Sequence, residues 1–418
     1  MSRPIYTRHV NGRFHKLRAA VSLILQSLLF VLPWIEYHGR PFLLLDIPHR
    51  RLYLGHLVLF PQETFFLLIM LLSAGTLLFL STSLGGRIWC GYACPQTLFS
   101  QSFMMIERWV EGDRARRMRR EKGSLTASWV IRRGLKLAIW LVMGIWLGIT
   151  ISGYFVPIRQ LTLASWPVVA FFTFISLLDF GFLREMVCHN WCPYARFQGA
   201  LFDKDTLVIA YDNERGEPRG KVNTTQGSCV DCSLCVQVCP MGIDIRDGQQ
   251  LECIACAACI DACDQVMDKL KRPRGLVGYR TLSGRQRLLR PRTIVYGVVL
   301  AVLATTFLYL ATHRQLLAVD VVRSAALFNT TPDGRVSNNY TVHLINRRDE
   351  PVEVKLSLEG MPEGELIAPR GNPVTVPPAS VQAVQVLVVR PKADRPVVSF
   401  RLKANDEEVQ TTFVGPGQ

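Results

Sequence analysis

Long uncharged runs alternate with short basic ones along this chain. Five of the runs approach or reach the ~20 apolar residues that a helix needs to cross a bilayer. They cover residues 19–35, 64–86, 137–158, 160–178 and 293–313. The first is the shortest and contains Pro33, and a cleaved signal sequence is the alternative reading, but no small-residue cleavage site follows it: the next residues are Glu36-Tyr37-His38-Gly39-Arg40. It is therefore read as an anchor. The third and fourth are split only by Arg159 and predict a tight helical hairpin around Pro157. Beyond Asp320 the apolar period shortens from helical to two. Residues 340–346, 352–358, 381–389 and 397–402 alternate as strands, with Gly, Pro and Asn clusters at 332–334, 360–362 and 369–373 between them. Several short strands with regular turns predict an immunoglobulin-like β-sandwich, without a Cys pair to cross-link its sheets.

The pattern predicts a multidomain membrane protein. A basic arm covers 1–18, and a membrane domain with four spans covers 19–200. A soluble insert with a basic linker follows at 201–292, a fifth span at 293–313, and the sandwich at 320–418.

Charge sharpens this. The chain is 49% hydrophobic yet carries a net charge of +15 over 418 residues, because the two are segregated. Arginine and lysine crowd the N-terminal arm, residues 114–133 and residues 269–292. All three lie inside if the N-terminus does, which puts the insert in the cytoplasm and the tail outside. Loop 36–63 fits less well, with Arg40, Arg50 and Arg51. The basic charge tracks the spans and suits anionic lipid. No nucleic-acid fold signature accompanies it, so nucleic acid is not expected as a partner.

The insert carries the chemistry. It reads Cys229-x2-Cys232-x2-Cys235-x3-Cys239-Pro240, then Cys253-x2-Cys256-x2-Cys259-x3-Cys263. This is the bacterial ferredoxin run twice over, in which the fourth cysteine of each run ligates the other cluster. It predicts a two-cluster ferredoxin domain inserted in a transmembrane helical bundle. One [4Fe–4S] cluster would sit on Cys229, Cys232, Cys235 and Cys263, and the other on Cys253, Cys256, Cys259 and Cys239. Structural zinc and a disulfide scaffold are the competing uses of such cysteines. Zinc sites rarely use this double spacing, and a reducing cytoplasm argues against disulfides. Asp264, not proline, follows Cys263.

Four cysteines remain. Cys90-x3-Cys94-Pro95 follows the second span and Cys188-x3-Cys192-Pro193 the fourth. On a continuing helix, residues four apart share a face, so each pair is expected to present two thiols together. A soft-metal site for copper(I), zinc or iron–sulfur, a redox dithiol, and buried structural thiols all fit. His189 is a further candidate ligand. The helix after Cys94 is amphipathic, with Phe99, Phe103, Met104, Ile106 and Trp109 interleaved with Glu107, Arg108 and Glu111, and it is predicted to lie at the membrane surface, where packing accounts for Met104 and Met105 better than copper ligation does. No GxGxxG motif opens a strand–helix unit, so nicotinamide or flavin binding is unsupported, and a quinol or soluble reductase has to donate the electrons.

These residues together resemble the CcoG/FixG family of cytochrome oxidase accessory proteins. The resemblance covers nearly the whole chain. It rests on DIP at 46–48, RIWCGYACPQT at 87–97, IERWVEGD at 106–113 and CPYARFQ at 192–198, and most closely on CVQVCPMGIDIR at 235–246 and CIACAACIDACD at 253–264. The CxxxCP motifs alone also occur in membrane ferredoxins of the NapH and NosR type. The family implies a protein of the bacterial inner membrane, with its tail in the periplasm. It implies reduction of copper(II) to copper(I) during assembly of cbb(3)-type haem–copper oxidase, with the oxidase or its copper-delivery factors as partners. Carried over by position, Cys90, Cys94, Cys188 and Cys192 become the candidate catalytic residues, holding copper or passing electrons out. A general electron carrier with another acceptor, and a non-catalytic assembly scaffold, are the alternatives.

Overall fold

The computed structural model describes residues 5–123, 126–221, 227–281, 283–284, 287, 289–324, 328–330, 335–361, 363–369, 371–391 and 397–414. The turn expected at 332–334 lies outside them. The chain divides into two units, Met1–Phe307 and Leu308–Gln418.

In the first unit, helix α1 (Arg13–Val31) leads into a β1–β2 pair (Glu36–Tyr37, Arg40–Pro41). An antiparallel meander follows, made of β3 (Leu43–Asp46), β4 (Arg51–Leu54) and β5 (Leu57–Leu59). Then come α2 (Thr64–Gly85), α3 (Ile88–Tyr92), α4 (Pro95–Glu111), α5 (Arg114–Lys122), α6 (Ala127–Ser152) and α7 (Trp166–Ser176). Helix α7 runs on into a π-helical stretch, Leu177–Leu183, and a second π turn spans Val187–Trp191. The unit continues through α8 (Pro193–Leu201), β6 (Val208–Tyr211), α9 (Asn213–Gly216), α10 (Leu234–Gln237), α11 (Ala258–Lys269), β7 (Val277–Arg280) and α12 (Pro291–Thr312).

Among the described residues, five helices are long and apolar enough to span a membrane: Arg13–Trp34, Thr64–Gly85, Ala127–Ser152, Leu163–Leu183 and Pro291–Thr312. The third begins ten residues earlier than the apolar run suggested, because Arg132, Arg133 and Lys136 prolong it as a basic turn. It also stops at Ser152. Gly153 and Pro157 open a connection with two 3-10 turns before α7, so the hairpin is looser than predicted. Helices α6 and α7 pack through small residues. A Cβ on Gly148 would lie 2.5 Å from Thr173 Oγ1 and 2.7 Å from the Val169 carbonyl oxygen.

Helix α4 is amphipathic and buries Phe99 and Phe103, but Glu107 faces inward and Trp109 outward. Trp109 is 78% exposed, whereas Glu107 is 7% exposed and meets Arg184 at 2.9 Å, Arg117 at 3.3 Å and Lys136 at 3.6 Å. Lys136 and Arg184 also lie over the ring of buried Trp140.

The second unit is an antiparallel sandwich of strands β8 (Leu317–Arg323), β9 (Asn329–Thr330), β10 (Val336–Asn346), β11 (Val352–Val354), β12 (Leu356–Glu359), β13 (Glu365–Ile367), β14 (Val374–Val376), β15 (Ser380–Arg390), β16 (Val397–Ala404) and β17 (Glu407–Val414). One sheet runs β13–β15–β10–β8 with β9 on β10, the other β12–β16–β17, and β11 pairs with β14. Alternate residues of β10, β15 and β16 fill the core: Tyr340, Val342, Leu344, Val386, Val388, Phe400 and Leu402. Tyr340 stacks edge-on against Phe400, and its hydroxyl donates to the Thr412 carbonyl at 2.8 Å. Replacing Tyr340 with Phe orphans that acceptor. We expect a loss of about 1 kcal/mol, read by denaturation of the isolated tail.

Candidate functional site

The two ferredoxin runs fold as near copies of one another. In each, two residues between the cysteines take left-handed backbone: Asp231 and Ser233 in the first, Ala255 and Ala257 in the second, all with φ between 51° and 59°. Such turns aim successive N–H groups inward, a cradle for a negatively charged group. Each loop then enters a helix, α10 after the first and α11 after the second. Helix α11 continues to Lys269, which accounts for Asp264 where the first run has proline. Its carboxylate accepts the Gly275 N–H at 3.0 Å.

The quartets predicted from spacing line two separate cavities. Cys229, Cys232, Cys235 and Cys263 line one, with Val230, Leu234 and Val266. Cys239, Cys253, Cys256 and Cys259 line the other, with Ile209, Ile243 and Ile254, and Cys235 stands on its wall as well. Burial pushes the Cys263 thiol up to about 12, reinforced by Cys235 and Cys229. It pushes Cys239 up to about 12, reinforced by Cys256 and Cys253. Thiols so placed are proton-bound unless a cationic centre claims them. Four cysteines around each apolar cavity, with inward N–H groups, fit cubic iron–sulfur clusters, which supply one-electron storage when bound.

The two CxxxCP motifs depart from expectation. Neither lies on a continuing helix, because Pro95 and Pro193 each start a new one. Cys90 sits in α3, while Cys94 is the extended residue ahead of α4. Cys188 sits in the second π turn, while Cys192 is the extended residue ahead of α8. The four nevertheless converge. Cys90 Sγ donates to Gln198 Oε1 of α8 at 3.4 Å, and Arg87 donates to the Ala195 carbonyl of α8 at 2.6 Å. Burial, with Cys94, pushes Cys90 up to about 11. Burial, with Cys94, Cys192 and Cys90, pushes Cys188 up to about 12. Among the described residues, no three His, Cys, Asp or Glu side chains surround one point as ligands of a single ion would. His189 is exposed, with its ring nitrogens near Glu252 (3.6 Å) and Asn190 (3.1 Å), apart from the thiol group.

The motif was legible in the sequence, but its neighbour was not. Gly91, inside the first CxxxCP, lies against the loop of the second quartet. A Cβ there would be 2.8 Å from both the Ile254 and Ala255 carbonyl oxygens. Tyr279 donates to the same Ala255 carbonyl at 3.0 Å and faces the Tyr92 hydroxyl at 3.4 Å. A lone glycine between two motif cysteines was the available signal.

Residues 183–282 match a family model described as a 4Fe-4S dicluster domain, and 66–111 one described as a 4Fe-4S binding domain. Residues 307–416 match the IG-like fold at the C-terminus of FixG. Nitrogen fixation protein FixG of Rhizobium meliloti is 37% identical, over 93% of this chain and 87% of its own. The chain belongs to the FixG family. Other FixG relatives are RdxB of Cereibacter sphaeroides, 36% identical over 96% of this chain and 93% of its own, and RdxA of the same organism, 36% over 85% and 82%. Like the FixG pattern, this chain is a membrane-embedded iron–sulfur electron-transfer protein with an immunoglobulin-like tail.

Proposed function

We propose that this protein reduces copper(II) to copper(I), one electron at a time, for assembly of a cbb(3)-type oxidase. In this reading, Cys229, Cys232, Cys235 and Cys263 hold one cluster, and Cys239, Cys253, Cys256 and Cys259 the other. The thiols of Cys90, Cys94, Cys188 and Cys192 form the exit to copper, which arrives as substrate. Soft thiolates favour the copper(I) product. In the same reading the ferredoxin domain is cytoplasmic and the tail periplasmic, which the distribution of basic segments supports. One observation carries the proposal: the loop holding Cys253 and Cys256 seats its carbonyls directly on Gly91, inside the first CxxxCP.

The test compares cupric reduction by dithionite-reduced protein in wild type, in a variant with the four CxxxCP cysteines replaced by serine, and in Gly91→Val. Both variants should keep eight irons. The serine variant should lose copper reduction, and the valine variant should slow it by about tenfold or more, as displacement of close-packed groups by ~1 Å does elsewhere. Full activity in the serine variant would remove these thiols from the path. Copper reduction no faster than by a soluble ferredoxin would favour a general electron carrier.

A further inference from the structure

A cavity of about 410 Å3 opens between the N-terminal arm, α1, α4 and the second cysteine loop, and Cys256 stands on its wall. Its charge is one-sided. Arg8, Arg18 and Arg108 line it together with His9, His15 and Arg117, whose charge Glu107 already meets, and among the described residues no aspartate or glutamate lines it. Burial, then Arg108 and His15 against Asp113, push His9 below its ordinary value. Among the described residues, neither imidazole makes a side-chain hydrogen bond. Neutral donors complete the lining. Gln26 Nε2 lies 2.9 Å from Ser22 Oγ and 3.0 Å from Ser102 Oγ.

The cavity also has an exposed apolar rim. Leu23 on α1 is 69% exposed and Met105 on α4 is 56% exposed, and both line it. Helix α1 is one of the five long enough to span. A single metal ion needs a small fraction of 410 Å3, and the arginines would repel it. A phosphate group beside acyl chains meets both halves of the lining: guanidinium forks suit its oxygens, and the exposed leucine and methionine suit the chains.

We propose that this cavity is a binding site for the phosphate headgroup of an anionic phospholipid, held by Arg8, Arg18 and Arg108 against the loop that carries Cys256. A negative headgroup at that wall disfavours adding an electron to a cluster bound there, because nearby charge sets cluster potentials. The site would thus let the lipid composition of the membrane tune the electron path.

The test uses holoprotein in nanodiscs of phosphatidylcholine, with or without phosphatidylglycerol. Native mass spectrometry after delipidation should find one phosphatidylglycerol retained by wild type and lost from an Arg8→Gln, Arg108→Gln double variant. An Arg8→Lys, Arg108→Lys variant, which keeps the charge, should retain it. A redox titration followed by EPR should show one of the two cluster signals shifted to lower potential by phosphatidylglycerol in wild type but not in the glutamine variant. Equal retention by wild type and the glutamine variant would overturn the proposal. So would displacement of the lipid by millimolar inorganic phosphate or by a quinone analogue, which would reassign the cavity to those ligands. Copper reduction with dithionite is expected to persist in the glutamine variant, so the lipid site and the copper reading fail separately.

Discussion

Replacing Glu107 with glutamine should cost the protein about 3–5 kcal/mol, the penalty for breaking a buried ion pair and leaving its partners uncompensated. Here one carboxylate answers three cations. Arg117 and Lys136 have side chains 7% and 9% exposed, and Arg184 15%. The glutamine amide keeps a carbonyl acceptor but not the charge, so the three cations repel one another around Trp140. Lys136 keeps Glu111 at 2.7 Å, which limits the damage on that side. The sign of the pH dependence follows from the carboxyl. Burial pushes Glu107 upward, but Arg184, Lys136 and Arg117 more than reverse this and hold it below its ordinary 4.5. A depressed carboxyl contributes its full stability above pH 4.5 and loses it as the pH falls through the lower folded value. Thermal unfolding in detergent should therefore separate wild type from Glu107→Gln widely at pH 7, with the gap narrowing progressively as the pH falls below 4.5. A constant gap across that window would mean that the charge is not what matters.

Serine at Cys263 should remove the cluster whose other three ligands lie in the first run, and serine at Cys239 the cluster of the second run. The cavities pair Cys263 with Cys229, Cys232 and Cys235, and Cys239 with Cys253, Cys256 and Cys259. EPR on the reduced Cys263→Ser and Cys239→Ser proteins should each show one surviving cubane signal and roughly half the iron, with different signals lost. Loss of the same signal in both would refute the crossed assignment. Copper reduction should suffer more from Cys239→Ser, because the second quartet's loop is the one that touches Gly91.

The spans and the ferredoxin runs were legible because their signals are local: an uninterrupted apolar stretch, or cysteines at fixed spacing. The crossed quartets are a proposal from spacing, and their cysteines line two cavities. The meander β3–β4–β5 escaped because its strands are three or four residues long and hide in a loop read only for charge. Strand β17 escaped because Glu407, Glu408, Gln410, Thr411 and Thr412 mask its buried Phe413. The broken helices at the CxxxCP motifs were readable in principle, since proline favours the first turn of a helix and so marks a start at Pro95 and Pro193. The inward face of Glu107 was not, because its partners Arg117, Lys136 and Arg184 come from three other elements.

Asp261 of α11 is 3% exposed and accepts the backbone N–H groups of Phe14 at 3.2 Å and His15 at 2.7 Å, closing the first turn of α1. Asp261 and Phe14 are 247 positions apart in sequence. On the ribosome, α1 therefore emerges and meets lipid long before the residue that caps it exists. Its first turn stays open through most of translation. Gly12 leaves room for the late arrival, since a Cβ there would fall 2.1 Å from the Asp261 carboxyl carbon. The beginning of the chain is thus finished by one of its later parts, and a nascent protein stalled before Asp261 would hold its early spans in the membrane with its leading end unfastened.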